Sequence, residues 1–348
     1  ELLCSYLFKP LIDDVTKQHE SIHNDKWLKS IKKVGGEKEY EFYLRNLFSI
    51  NKHKMIGKGR KLYANFKNTN KKLLKKTAFD TINEIADNID LFNQIVKPQE
   101  PSCKHSNKEI NSILIKIERT SMYSSIPFIL AILREQRAGN LNDADNIAIL
   151  NILLVLLVRR KVCELKTTKY DVFFPSLLSK IINEPDKAKA FKDQILKEDL
   201  WVSNQEFEDA FVIKSLYKQT ELEFVRLVLQ EIDKTMQIHG QLPDYSSINT
   251  IEHVMPQTLD DEWKSYLGEE AHDFNLERIK NSIGNLCLIS RAANSFAGQD
   301  PFEKKKNSYT DVSALTRDLK SRTDKWNMQA IKKRSKDLME KALTIWSW

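Results

Sequence analysis

Thr250-Ile251-Glu252-His253-Val254-Met255 and, further on, Asn285-Leu286-Cys287-Leu288-Ile289 are the two stretches that decide how this chain is read. Both are short, apolar and partly β-branched, and both are bounded by turn formers, Pro256 after the first and Gly284 before the second. Runs of this kind form strands. Successive side chains of a strand face opposite sides, so Glu252 and His253 point apart unless the strand bends. From Ser290 onward the apolar spacing becomes helical. The order is therefore strand, long loop, strand, helix.

Upstream the pattern is different. Only 9 Gly and 9 Pro punctuate 348 residues, and the first 240 positions alternate apolar and charged residues at three-to-four spacing, which predicts a mainly α chain. Helices are expected over 25–33, 37–49, 59–66, 77–95, 108–117, 126–138, 143–160 and 170–182, and again over 187–195, 204–215 and 221–236. Lys97-Pro98-Gln99-Glu100-Pro101-Ser102 parts one helical group from the next, and Gly240-Gln241-Leu242-Pro243-Asp244 precedes the change to β-like text. The expected fold class is mainly α, a helical N-terminal region followed by a small α+β domain with C-terminal helices. Its expected parts are a helical region 1–97 continuing from a missing N-terminal domain, a helical domain 98–245 and a final domain 246–348. No repeat at solenoid periods is visible.

Lys and Arg exceed Asp and Glu by 55 to 48, a formal net charge of +7 that favours a polyanionic partner. Cys4, Cys103, Cys163 and Cys287 stand far apart, so neither a zinc knuckle nor a disulfide framework is read from their spacing, and a reducing cytoplasm is expected. The most apolar run, 147–158, is shorter than the roughly 20 residues a bilayer needs, and no signal pattern opens the chain. A membrane partner is not expected. Gly57-Lys58-Gly59-Arg60 is too short for a G-x-x-x-x-G-K-[ST] phosphate cradle, so no nucleotide cofactor is expected either.

Ile251-Glu252-His253-Val254-Met255-Pro256-Gln257 sets a carboxylate beside an imidazole, and Gly284-Asn285-Leu286-Cys287-Leu288-Ile289-Ser290-Arg291-Ala292-Ala293-Asn294 sets two asparagines nine residues apart. Metal-assisted phosphodiester hydrolysis needs a base for water, hard oxygen ligands for a divalent ion, and a side chain that orients the base. The nine-residue step resembles the middle and last positions of the HNH (ββα-metal) nucleases. Together with Pro301-Phe302-Glu303-Lys304-Lys305, Tyr309, Trp326, Ile331, Arg334, Leu338, Ala342 and Trp346, the stretch 246–348 resembles the C-terminal nuclease domain of the GmrSD family of modification-dependent (type IV) restriction endonucleases. Leu62-Tyr63-Ala64-Asn65-Phe66-Lys67, Arg159-Arg160-Lys161-Val162-Cys163, Trp201 with Glu206-Phe207, and Leu229-Gln230-Glu231-Ile232 resemble the helical region that precedes it. The family's N-terminal nucleotide-handling domain, with its Asp-Gly-Gln-Gln-Arg-like segment, is not found. The chain opens Glu1-Leu2-Leu3-Cys4 inside an apolar-periodic segment, and that regulatory domain of the same protein is an expected partner upstream.

The resemblance implies DNA as substrate and His253 as the base that activates water. It implies Glu252 and Asn294 as ligands of one Mg²⁺ or Mn²⁺, and Asn285 as the residue that bonds the loop carrying His253 and orients its ring. The expected ends are 5′-phosphate and 3′-hydroxyl. Departures from the wider HNH class are Glu252 in place of the more usual Asp, Asn294 in place of a His, and the long interval of 32 residues from His253 to Asn285.

Plainer readings stand beside these. Asn294 also reads as a helix cap and Asn285 as a turn residue. Lys304, Lys305 and Lys306 read either as a solvated face or, the expectation here, as contacts to DNA phosphate. Asp260, Asp261 and His272 lie in an acidic insert, 259–277, and read as surface. Residues 51–76 hold ten Lys or Arg and no acid, with Tyr63 and Phe66 among them, which suits a duplex-backbone track or a merely solubilising helix surface. Arg159-Arg160 reads as charge placement at a helix end or an internal ion pair. The competing function is a non-catalytic helical adaptor that binds DNA or a partner and keeps a degenerate nuclease fold; an RNA-cutting toxin is a weaker third. The intact set Glu252, His253, Asn285 and Asn294 favours the enzyme, because an adaptor has no physical need of all four.

Overall fold

Ile126 to Leu133 are buried without a break. A helix that is apolar all round has to be enclosed on every side, and the helix Ile126–Arg137 is packed by Glu37–Lys52, Lys75–Val96 and Tyr170–Ile181. Pro127 sits in its first turn, where the missing N–H costs nothing. Phe128 meets Phe174 and Phe191 at ring-centroid distances of 6.4 and 5.2 Å, and Tyr43, Leu47, Ile82 and Phe92 fill the rest of this core. Each such side chain contributes about 1.5–3 kcal/mol when fully buried.

The computed structural model describes residues 1–12, 18–70, 74–237, 242–310, 312–323 and 325–348. Gly240 and Gln241 of the second expected loop, and Lys71 and Lys72 of the basic stretch, lie outside the described residues. The chain forms two compact units. The first comprises 1–118, 122–154 and 166–199, and the second 119–121, 155–165 and 200–348. Helix makes up 71% of the structure, so the chain is mainly α as its spacing predicts. No helix among the described residues is long and apolar enough to cross a membrane. The expected helix 25–33 is instead a π-helical turn, His23–Leu28, running into Lys29–Val34, which stops at left-handed Gly35. Apolar spacing reports which face is buried and is blind to this local change of winding.

The second unit holds the sheet. Strand β1 (Thr250–His253) pairs antiparallel with β2 (Leu286–Ile289), Glu252 opposite Cys287 and His253 opposite Leu286. All four β2 residues are buried, as expected of a strand covered by helices. Leu222–Met236 and Ala314–Ser321 lie against β2, and Arg291–Ala297 against β1. The long helix Met328–Ile345 starts at Asn327, whose side chain caps the Ala330 N–H, and it passes so close to Gly284 that a Cβ there would stand 2.1 Å from the Ile331 carbonyl oxygen. Gly284 is thus required by close approach, a second role beside ending the loop. Arg334, fully buried on that helix, donates to the Gly284 and Leu286 carbonyls at 2.8 Å each and to Asp318 at 2.7 Å. Arg159 serves neither as a plain helix-end charge nor as an ion pair. It donates to the carbonyls of Val202 and Trp346 and to Asn204, and lies on the faces of Trp201 and Phe207. A planar guanidinium fits such a carbonyl-and-ring cage.

Candidate active site

β1 carries Glu252 and His253 to opposite sides of the sheet, as strand alternation requires. Glu252 turns inward and is 4% exposed. There its Oε1 accepts from Lys305 Nζ at 2.7 Å, and the same ammonium donates to the His253 carbonyl at 2.9 Å. Lys305, at the end of the short helix Phe302–Lys305, is itself 1% exposed. Burial pushes the Glu252 carboxyl upward from its ordinary value, and the Lys305 charge only partly offsets this.

His253 stays half-buried on the other side. Its Nε2 lies 3.2 Å from Asn281 Oδ1, and its ring meets the Tyr217 ring edge-on at 4.4 Å. Burial lowers its pKa to about 4, against the raising effect of the Asn281 bond and with help from the charges of Lys305 and Lys280. The imidazole is therefore neutral around pH 7, the state a proton acceptor needs.

Asn285 is fully buried and uses every hydrogen-bonding position it has. Its Oδ1 accepts from the Met255 N–H at 2.8 Å and from Trp326 Nε1 at 3.0 Å, while its Nδ2 donates to the Met255 and Lys280 carbonyls at 2.8 Å each. It clamps the backbone just after His253 and has no capacity left for the ring. The ring is touched instead by Asn281, which no motif picked out.

Asn294 lies within Arg291–Ala297, the helix against β1, and is half-buried. The cap of that helix is Ser290, whose hydroxyl accepts from Ala293 N–H. Asn294 is not the cap, and its side chain makes no hydrogen bond among the described residues. The three lysines do not share a face. Lys305 is interior, Lys306 bonds Glu303, the Arg322 carbonyl and the face of Phe302, and only Lys304 is exposed without a partner among the described residues. Asp260 caps Asp261–Leu267 through the Trp263 N–H, and Asp261 pairs with Lys264 in solvent.

A divalent ion such as Mg²⁺ or Mn²⁺ takes hard oxygen donors, and the Glu252 carboxylate and Asn294 amide oxygen are of that type, on a strand and on the helix beside it. Among the described residues no group of three or more His, Cys, Asp or Glu is arranged to hold a metal. The Glu252 carboxylate is buried and already paired with Lys305, so of these two donors only the Asn294 amide is without a protein partner among the described residues.

Residues 201–341 match the family model described as GmrSD restriction endonucleases, C-terminal domain. This part of the chain is similar to the GmrSD C-terminal region. The match takes in the helices Asn204–Ile213 and Leu222–Met236 as well as both strands, so the matched region includes Leu222–Met236, which packs on β2, and not the strands alone. The family points to the nuclease domain of a restriction endonuclease and to DNA as its substrate. No curated protein matches the chain.

Proposed function

We propose that the chain is a metal-dependent DNA endonuclease or nickase of the HNH type, part of a restriction system that defends against modified phage or foreign DNA. The observation that carries this reading is the neutral His253 at the end of β1, next in sequence to a buried carboxylate and beside a helix that offers an unpartnered amide. His253 takes the proton of the attacking water. Asn285 fixes the backbone at Met255, and Lys305 fixes it at His253, so the main chain that carries the imidazole is held at His253 itself and two residues on. Asn294 would hold the divalent ion, and Glu252 would join it by giving up its bond to Lys305. When bound, such an ion would supply positive charge where negative charge grows on the reacting phosphate. The ends produced are 5′-phosphate and 3′-hydroxyl. Lys304 is the lysine of its run best placed to meet phosphate.

The test is incubation of supercoiled plasmid with the purified chain and Mg²⁺, Mn²⁺ or a chelator. Nicked or linear plasmid is expected with metal and none with chelator, and Asn294→Ala is expected to raise the Mn²⁺ concentration needed for half-maximal rate. Cleavage that persists undiminished in chelator, or an Asn294→Ala chain with unchanged metal dependence, overturns the metal assignment.

A further inference from the structure

Asn281 follows the helix Leu276–Lys280 and binds in three directions. Its Nδ2 donates to the Glu277 carbonyl oxygen at 2.9 Å. A carbonyl can only accept, so this bond fixes which end of the amide is nitrogen. The other end, Oδ1, is then the atom that faces His253 Nε2 at 3.2 Å and Gln257 Nε2 at 3.0 Å. An amide oxygen can only accept as well, so the hydrogen of that contact belongs to His253 Nε2. The backbone carbonyl of Asn281 accepts from the Tyr217 N–H at 3.0 Å, and the Tyr217 ring is the one that lies edge-on to the imidazole. His253 Nδ1 makes no hydrogen bond among the described residues, and the residue is only half-buried.

We propose that Asn281 is the positioning residue of the site, holding His253 in its Nε2–H form so that Nδ1 is the atom that receives the proton of water. The inference rests on the reading of His253 as the base and names which of its nitrogens acts and what selects it. Asn285 cannot do this, since its four hydrogen-bonding positions are filled by Met255, Lys280 and Trp326. One residue thus sets both the tautomer, through its side chain, and the ring's lateral support, through the main-chain bond to Tyr217. In a neutral imidazole the partner of one nitrogen decides what the other can do.

The experiment is long-range ¹H–¹⁵N correlation on the ¹⁵N-histidine-labelled chain at neutral pH, with His253→Ala used to identify the His253 signals. A protonated Nε2 and a bare Nδ1 are expected. Asn281→Asp keeps an acceptor oxygen and should keep that form, whereas Asn281→Ala should release the ring into a mixture of tautomers. Plasmid cleavage by Asn281→Ala should fall roughly 10- to 100-fold in kcat with little change in KM, the loss typical of a partner that orients a working histidine. Asn281→Asp should retain more of the rate than Asn281→Ala. A wild-type His253 protonated at Nδ1, or an Asn281→Ala chain with tautomer and kcat both unchanged, overturns the proposal. If Asn281→Ala does not fold, the wild-type and Asn281→Asp spectra decide it. The tautomer is read without any cleavage, so undiminished cleavage by His253→Ala would sink the base assignment while leaving the Asn281 bond separately measured.

Discussion

The two units differ most in what they bury. The interior of the first is apolar, interrupted by neutral groups such as Asn46, Asn88, Asn93 and Asn111. Among the described residues, every buried charged side chain belongs to the second: Arg159, Arg160, Asp233, Glu252, Lys280, Lys305 and Arg334. A buried charge is costly unless it is paired and hydrogen-bonded, and an apolar pair of the same size often serves stability as well or better. A unit that keeps such groups is spending stability on arrangement. The first unit can be read as a packing problem, whereas the second has to be read group by group.

The sharpest way to break this comparison is His253→Ala. Cleavage should fall by roughly 10²- to 10⁴-fold, the usual contribution of a general base, while thermal unfolding and DNA affinity stay near wild type because little packed volume is lost. A plasmid assay showing more than a tenth of the wild-type rate would break the link between the polar interior and catalysis.

A smaller effect is expected from the ion pairs. Lys305→Met strands the Glu252 carboxylate inside the second unit and should cost about 3–5 kcal/mol, with most of it recovered when Glu252→Leu is added. In the first unit Arg134 and Glu84 are 3.0 Å apart with both side chains partly exposed, and Arg134→Met should cost no more than about 1 kcal/mol. Denaturant titration measures both. Equal costs would show that the charges of the second unit are no more committed than surface ones. Trp201, Trp263, Trp326, Trp346 and Trp348 all lie in the second unit and only Trp27 in the first, so tryptophan fluorescence follows chiefly the second.

Acid sharpens the contrast further. Burial alone would raise the Asp318 carboxyl, but Arg334 and Arg322 outweigh it and hold its pKa below the ordinary 3.8. A carboxyl depressed in the folded state contributes stability that is present above its unfolded value and lost as pH falls through the folded one. The second unit should therefore lose stability as pH drops below about 3.8, and Asp318→Asn, less stable at neutral pH, should lose less of what remains. An Asp318→Asn chain with the same acid slope as wild type would exclude this carboxylate as the cause.

The smallest expected change is at the surface. Lys304→Gln should weaken DNA binding alike for all sequences and lower the salt slope by about one. An unchanged slope would return Lys304 to a solvated role.

Much of the architecture was legible beforehand. The change from helical spacing to short β-like runs located both strands, and the main helices fall within a few residues of their expected bounds, because burial of one face is written directly into local periodicity. The four residues singled out for chemistry are on β1, at the entry to β2 and on the helix beside β1. Their neighbours were harder to see. Lys304, Lys305 and Lys306 look alike in sequence, yet one is exposed, one interior and one spread over Phe302. Asn281 carries no motif at all.

What the sequence determined by itself is what local spacing can encode: helix against strand, the opposed faces of Glu252 and His253, and where Gly and Pro interrupt the chain. Tertiary structure alone decided that Lys305 reaches Glu252 across 53 positions and that Asn281 reaches His253 across 28. A lysine shows the same letter whether its ammonium meets water or a buried carboxylate. Only the fold brings the distant partner within hydrogen-bond reach, and it is that partner which makes the charge affordable inside and gives the imidazole its orientation.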